Sequence, residues 1–365
     1  MSMSKKMINV ASPDIGRKER RAVNRVLKSG GLAQGPQVLE FENEFSKLAV
    51  DNFRCIAVNS GTSALHLMLL AYGIGKGDEV IVPSFSFAAT ANAVALTGAK
   101  PVFVDIDPHS FCVDPQAIDA AVTGKTRAVM AVHLYGMPAN MKQIIAVANK
   151  HDILLFEDAA QAHGAGIDKT PVGTFGDAAA FSFYPTKNMT SGEGGMIVVY
   201  DAGIERTCRM LRNQGMEKRY QNEIVGLNNR MTDIHATIGR VQLTKLNKYN
   251  NYRIENARFL NENLEGVVVP KAPKGYKHVY HQYTIRVVDQ DRDKFSQELE
   301  KLGVGSGVYY PTPIHKLPSY NSKLDLPETD KAAREVLSLP VHPKLTTREL
   351  HKIVISVNKL AKAGS

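Results

Sequence analysis

Short apolar runs at 56–58, 80–83, 102–104, 128–132 and 153–156 alternate with segments of helical spacing at 64–72, 88–96, 117–122 and 141–150. No other feature of the 365-residue chain narrows its fold as far. The runs have no polar face, as strands covered on both sides require. Strands alternating with helices place the crossovers over both faces and make the sheet mostly parallel. The expected fold is α/β: a large domain, 1–248, with a mostly parallel central sheet flanked by helices, and a smaller α+β C-terminal domain, 249–365. A chain of this length can bury both cores.

The flanking segments fit this frame. Ile15, Ala22, Val23, Val26 and Leu27 share one helical stripe, closed by Ser29-Gly30-Gly31, and Val38, Phe41, Phe45 and Leu48 mark a second helix. Two shorter strands are expected at 179–182 and 196–199. Beyond Thr232 the pattern predicts a long helix to about Leu264, interrupted near Asn250-Asn251. Strand, helix and strand follow at 280–288, 292–302 and 304–309, and a last helix at 347–360.

Composition bounds the partners. Hydrophobic residues make up 44% and charged residues 22%, ordinary for a soluble globular protein. The net charge of +9 attracts anions without choosing among them. Basic residues are scattered, apart from clusters such as Arg17-Lys18-Glu19-Arg20-Arg21, and no aromatic-interleaved basic stripe accompanies them. No nucleic-acid partner is therefore expected. Cys55, Cys112 and Cys208 form no C-x-x-C, which fits a reducing cytoplasm, and no metal-ligand set is expected. The start, Met1 to Asn9, carries charge without the apolar core of a signal peptide. No apolar run approaches the roughly 20 residues of a membrane helix, so no membrane partner is expected.

The chemistry gathers around Phe181-Ser182-Phe183-Tyr184-Pro185-Thr186-Lys187, which runs on through a turn to Ser191-Gly192-Glu193-Gly194-Gly195. A lysine in such a structured turn has its pKa lowered by desolvation, which frees the amine as a nucleophile toward carbonyls. Gly61-Thr62-Ser63 follows a strand and opens a helix, whose free N–H groups suit a phosphate; alone it reads first as an ordinary cap by Thr62 or Ser63, and the flanking strand and the Lys187 turn reverse that preference. Asp158 ends an apolar strand, where a carboxylate can hold a pyridine nitrogen protonated; a helix cap leading into Ala159-Ala160-Gln161-Ala162 is the alternative. An acid, a phosphate cradle and a Schiff-base lysine are the parts of a pyridoxal-phosphate enzyme.

Around them, Gln161 can donate to the cofactor's ring hydroxyl, Phe87 can stack on its ring, and Ser182 can add a hydroxyl to the phosphate. Glu193 is expected to face the same pocket. Asn228 and Arg230 stand in a polar loop, and Tyr310 and His315 on a proline-stiffened loop able to cover the site or to form a plain surface turn; Glu193, Arg230, Tyr310 and His315 are the candidates for substrate contact. His163 reads as a structural histidine.

The chain resembles the DegT/DnrJ/EryC1/StrS sugar aminotransferases, which are fold-type I pyridoxal-phosphate enzymes. The resemblance runs from about Asp14 to the last helix. It rests on Asn59-Ser60-Gly61-Thr62-Ser63-Ala64-Leu65, Ser86-Phe87-Ala88-Ala89-Thr90-Ala91-Asn92, His133-Leu134-Tyr135-Gly136 and Glu157-Asp158-Ala159-Ala160-Gln161-Ala162-His163-Gly164. The Lys187 turn, Leu227-Asn228-Asn229-Arg230-Met231 and Tyr310-Pro311-Thr312-Pro313-Ile314-His315 complete it.

The resemblance implies a homodimer with shared active sites, pyridoxal 5′-phosphate bound to Lys187, and Asp158 on the pyridine nitrogen. Gly61, Thr62 and Ser182 would hold the phosphate, with Asn228 reaching in from the neighbouring subunit. Phe87 occupies a stacking position where relatives carry other aromatics, and Asn229 stands where an aromatic is common. Glutamate is the implied amino donor and a nucleotide-linked keto-sugar the acceptor, a cyclitol ketone being an alternative. A dehydratase is disfavoured by Lys187, a desulfurase by the lack of a cysteine in a reactive loop. A regulatory homologue without turnover is a further alternative.

Overall fold

A computed structural model describes residues 7–363, so residues 1–6 of the charged opening segment lie outside the described residues. Helix α1 (Arg17–Ser29) ends on Gly30 at φ 75, and α2 (Pro36–Ala49) starts on a proline. The inward stripe of α1 differs from the expected one. Ala22 and Val26 are buried, but Ile15 and Leu27 are 44% and 52% exposed. Glu19 takes an inward place instead, because Gln242 and Lys245 both donate to its carboxylate.

The expected alternation is present: β1 (Arg54–Val58), α3 (Gly61–Ala71), β2 (Glu79–Pro83), α4 (Ala89–Leu96), β3 (Lys100–Val104), α5 (Pro115–Ala121), β4 (Thr126–Val132), α6 (Met141–His151) and β5 (Leu154–Asp158). A small pair, β6 (Gly166–Ile167) and β7 (Thr170–Pro171), precedes β8 (Ala178–Ser182) and β9 (Gly195–Val199). The seven-stranded sheet has the order β1-β9-β8-β5-β4-β2-β3. Only β9 runs against its neighbours, β1 and β8. The carboxyl ends of the other six strands therefore share one edge with the start of β9. Ligands of such sheets collect at that edge.

Alternate side chains feed opposite cores. Ile56 and Val58 join Leu67, Met68 and Phe156 on one face, while Cys55 and Ala57 join Phe41, Phe45, Phe181 and Phe183 on the other. Burying a ring such as Phe156 stabilises the fold by about 2–3 kcal/mol.

The chain continues through α7 (Ala202–Arg212), the hairpin β10 (Met216–Lys218) and β11 (Gln221–Asn222), α8 (Asp233–Leu243) and α9 (Leu246–Asn263). Then come β12 (Tyr276–Lys277), β13 (Tyr283–Arg286), α10 (Arg292–Lys301), α11 (Pro327–Glu335), β14 (Val336–Leu339) and α12 (Thr347–Ala363). The long helix breaks at Thr244-Lys245, not at Asn250-Asn251. Asn250 is buried and spends its amide on tertiary bonds, donating to His163 O at 2.7 Å and accepting from Asn188 Nδ2 at 2.8 Å. The strand expected at 304–309 is reduced to single bridges, Val304 to Ile8 and Gly307 to Ser338. Residue 248 lies in the first turn of α9. Leu246 packs with the sheet, whereas Ala257 and Leu260 join Tyr283, Leu299 and Val357 in a second core that also takes Ile8.

Candidate active site

Four chain segments meet at the shared strand edge. From the end of β1, Ser60 caps α3, its Oγ accepting from Ser63 N at 3.1 Å. Ser63 Oγ pairs with the same hydroxyl at 3.0 Å, so both hydroxyls serve the cap. The N–H groups of the next two residues, Gly61 and Thr62, are the first-turn donors that a helix leaves without an internal partner. Gly61 must be glycine here, since a Cβ would stand 2.7 Å from Ser182 Cβ.

From the end of β5, Asp158 is buried, and Ala159–Ala162 form a turn rather than the helix a capping role required. Thr90 Oγ1, on α4, donates to Asp158 Oδ2 at 2.7 Å and pairs with Ser86 Oγ at 3.0 Å. Burial raises the Asp158 pKa, opposed by the Thr90 bond, the Ala160 N–H and the charge of Lys187. Its neighbour Glu157 points elsewhere and accepts three backbone N–H groups, from Gly173, Phe175 and Gly176.

The third segment joins β8 to β9. Phe183 N donates to Gly194 O at 2.9 Å and Thr190 Oγ1 to Phe183 O at 2.8 Å, so the turn is stapled across its base. Gly192 at φ 88 and Gly194 at φ 153 make the bend. Lys187 N donates to Tyr184 O at 2.9 Å. Desolvation lowers the Lys187 pKa to about 8, against the opposing pull of Asp158. A tenth or more of this amine is thus free near neutral pH.

The fourth segment, His278–Gln282, runs over the site. Val279 N donates to Gly136 O at 3.0 Å and Gln282 N to Tyr135 O at 3.2 Å. His163 lies behind the lysine turn against Phe181 and Phe183, and burial lowers its pKa to about 3, so it is a neutral structural ring.

The result is a cavity of about 360 Å³. Gly61, Thr62, Phe87, Asp158, Gln161, Ser182, Lys187, Glu193 and Tyr310 all line it. Four expected residues do not. Ser63 serves the α3 cap. Asn228 is exposed, and Arg230 donates to Asn213 Oδ1 at 2.8 Å. His315 is fully buried away from the cavity, with Nδ1 2.6 Å from Ser84 Oγ, so in this chain it anchors its loop to the end of β2. Sequence reasoning overlooked Thr90, His281, Gln282 and Tyr309. The signal for the middle two was a polar break, His281-Gln282, directly before an apolar strand.

The pieces fit a ring bearing a phosphate. The glycine cradle and free N–H pair suit the phosphate, and the buried Asp158 carboxylate suits a ring cation.

The DegT/DnrJ/EryC1/StrS aminotransferase family profile matches residues 13–358. The chain is 40% identical to a UDP-N-acetyl-3-dehydro-alpha-D-glucosamine 3-aminotransferase of Acidithiobacillus ferrooxidans, over 92% of each protein. It is equally similar, 40% over 92% of each, to a pleiotropic regulatory protein of Geobacillus stearothermophilus. Among solved structures, that of S. venezuelae DesV in complex with a ketimine intermediate superposes with a TM-score of 0.90 at 37% identity, covering 94% of each chain. The chain belongs to the DegT/DnrJ/EryC1/StrS aminotransferase family and is an aminotransferase.

Proposed function

We propose that this enzyme moves the amino group of glutamate to a keto-sugar carried on a nucleotide, with pyridoxal 5′-phosphate as its resident cofactor. The observation that carries the reading is the convergence of Lys187, Asp158 and the Gly61–Ser182 cradle on one cavity. The named relatives that act on nucleotide sugars support the acceptor class.

When bound, the cofactor supplies a carbonyl that exchanges with amines and a protonated ring that draws electrons from the substrate's α-carbon. Lys187 Nζ would anchor it and, once released, would move a proton to and from the reacting carbon. Asp158 holds the ring-nitrogen proton, with Thr90 fixing the carboxylate. Gly61, Thr62 and Ser182 would hold the phosphate, Gln161 would meet the ring hydroxyl and Phe87 would cover the ring. Glu193, on the cavity wall, would meet the sugar. The enzyme works as a cytoplasmic homodimer, in which Asn228 and Arg230 of one protomer serve its partner's cavity.

The test is to incubate the loaded protein with glutamate and a panel of UDP-, dTDP- and GDP-linked keto-sugars plus a cyclitol ketone, measuring 2-oxoglutarate. Acceptor-dependent release identifies the sugar. No release with any acceptor or donor would overturn the reading and favour a regulatory protein, the class named by one 40%-identical relative.

A further inference from the structure

The Gln161 amide has one allowed orientation. Tyr135 N–H, which can only donate, lies 2.7 Å from Gln161 Oε1. Nε2 therefore faces the other way, and one of its hydrogens goes to Tyr310 Oη at 2.8 Å. An amide nitrogen carries two hydrogens, so one is left for the cavity. Two anchors hold the amide plane where a single one would let it swivel.

Tyr310 is itself placed at a cost. It sits at φ 59, a left-handed conformation that bulky residues rarely adopt. Such strain persists where the surroundings over-determine it, and it clusters at functional sites. The Tyr310 ring stacks on that of Tyr135 (6.3 Å, 13°), which is also left-handed at φ 57, and stands edge-on to Phe85 at 5.7 Å. Just downstream, Ile314 N donates to Ser84 O at 2.9 Å, and His315 holds the same serine. Burial raises the Tyr310 pKa, so the hydroxyl stays protonated. Asp158, Lys187, Glu193, Tyr184, Tyr135, Tyr309 and His281 are the titratable groups around the pair.

We propose that Tyr310 is a positioning residue for the cofactor. It holds the Gln161 amide so that the second Nε2 hydrogen meets the oxygen of the cofactor's ring hydroxyl, and it thereby sets the protonation of the bound chromophore. This rests on the function proposed above. A hydrogen donated to that oxygen competes with the bond the oxygen makes to the nitrogen contributed by Lys187. Weakening the donor strengthens that internal bond and raises the chromophore's pKa.

The experiment titrates the visible absorption of the cofactor-loaded wild type, Tyr310→Phe and Gln161→Glu. Phenylalanine keeps the stacking and removes only the hydroxyl; glutamate replaces the donor with an acceptor. The midpoint should rise by about half a pH unit in Tyr310→Phe and further in Gln161→Glu. Thermal melts of the Tyr310 variant should match the wild type within about 3 °C. An unchanged midpoint in Tyr310→Phe overturns the inference, whatever Gln161→Glu shows. So does a raised nucleotide-sugar KM at a constant midpoint, which would make Tyr310 a substrate contact. If Tyr310→Phe fails to fold, Tyr310→Leu, which also lacks the hydroxyl, is titrated in its place. A wild type that develops no visible band removes the cofactor reading itself, and this inference with it.

Discussion

Asn188 Nδ2 donates to Asn250 Oδ1 at 2.8 Å and to Val279 O at 3.1 Å, so the residue after the lysine is bolted to α9 and to the strand-like segment over the cavity. All three partners are buried. Asn188→Ala leaves two acceptors unsatisfied and should destabilise the protein by about 2–3 kcal/mol. Calorimetry should show the melting temperature falling by several degrees, and the variant should bind the cofactor more weakly. An unchanged melt would mean that water replaces the amide.

Thr90 is the lever on Asp158. Its hydroxyl bond opposes the effect of burial, so Thr90→Val should push the carboxylate pKa further up and weaken its hold on a ring cation. Turnover should fall by about tenfold in Thr90→Val and by at least about 100-fold in Asp158→Asn, where the charge is lost. Equal losses in the two variants would place the effect in packing rather than charge.

Gly61→Ala tests the cradle. The added carbon meets Ser182 at 2.7 Å, so the two segments must part where the phosphate is to sit. The dissociation constant of the cofactor should rise by at least about tenfold, a loss of ~1.4 kcal/mol, with the far-ultraviolet circular dichroism spectrum unchanged.

Lys187 supplies two measurable signs. Lys187→Ala should abolish turnover with the fold kept. In the cofactor-free protein, the native amine titrates near 8, below the ordinary lysine value of 10.5. Between these pH values the unfolded chain binds more protons, so the contribution of Lys187 to stability rises with pH across the window and is least favourable below 8. Lys187→Met should accordingly stabilise the cofactor-free protein at neutral pH, with the gain fading toward pH 10.5. Paired melts of the two proteins across that range check the sign.

The chain order exposed the sheet because a parallel sheet buried on both faces leaves only apolar runs, and those are visible in a sequence. Asp158, Thr62 and Lys187 were legible for the same reason: each follows such a run at its carboxyl end. Other features depended on partners that no local pattern contains. The break before Leu246 was misplaced because Asn250, a poor helix former, is held in the helix by His163 and Asn188, remote in sequence. Helices α7 and α11 went unread, as did β14, whose pairing with β13 joins residues far apart in sequence, such as Tyr283 and Leu339. His315 closes a conspicuous motif, yet its ring is turned toward Ser84, a direction fixed by tertiary packing alone.

The reversed strand β9 has one more effect. Ser182 and Gly195 face each other in register as the last pair of an antiparallel stem. The reactive amine thus rides on a closed hoop whose two feet are cemented to the sheet, and its height is a matter of residue count. Removing or inserting one residue between those feet would swing the side chain away from Asp158. Length between the feet should therefore be the most tightly held quantity in this part of the chain, while the exposed β10–β11 hairpin is free to grow.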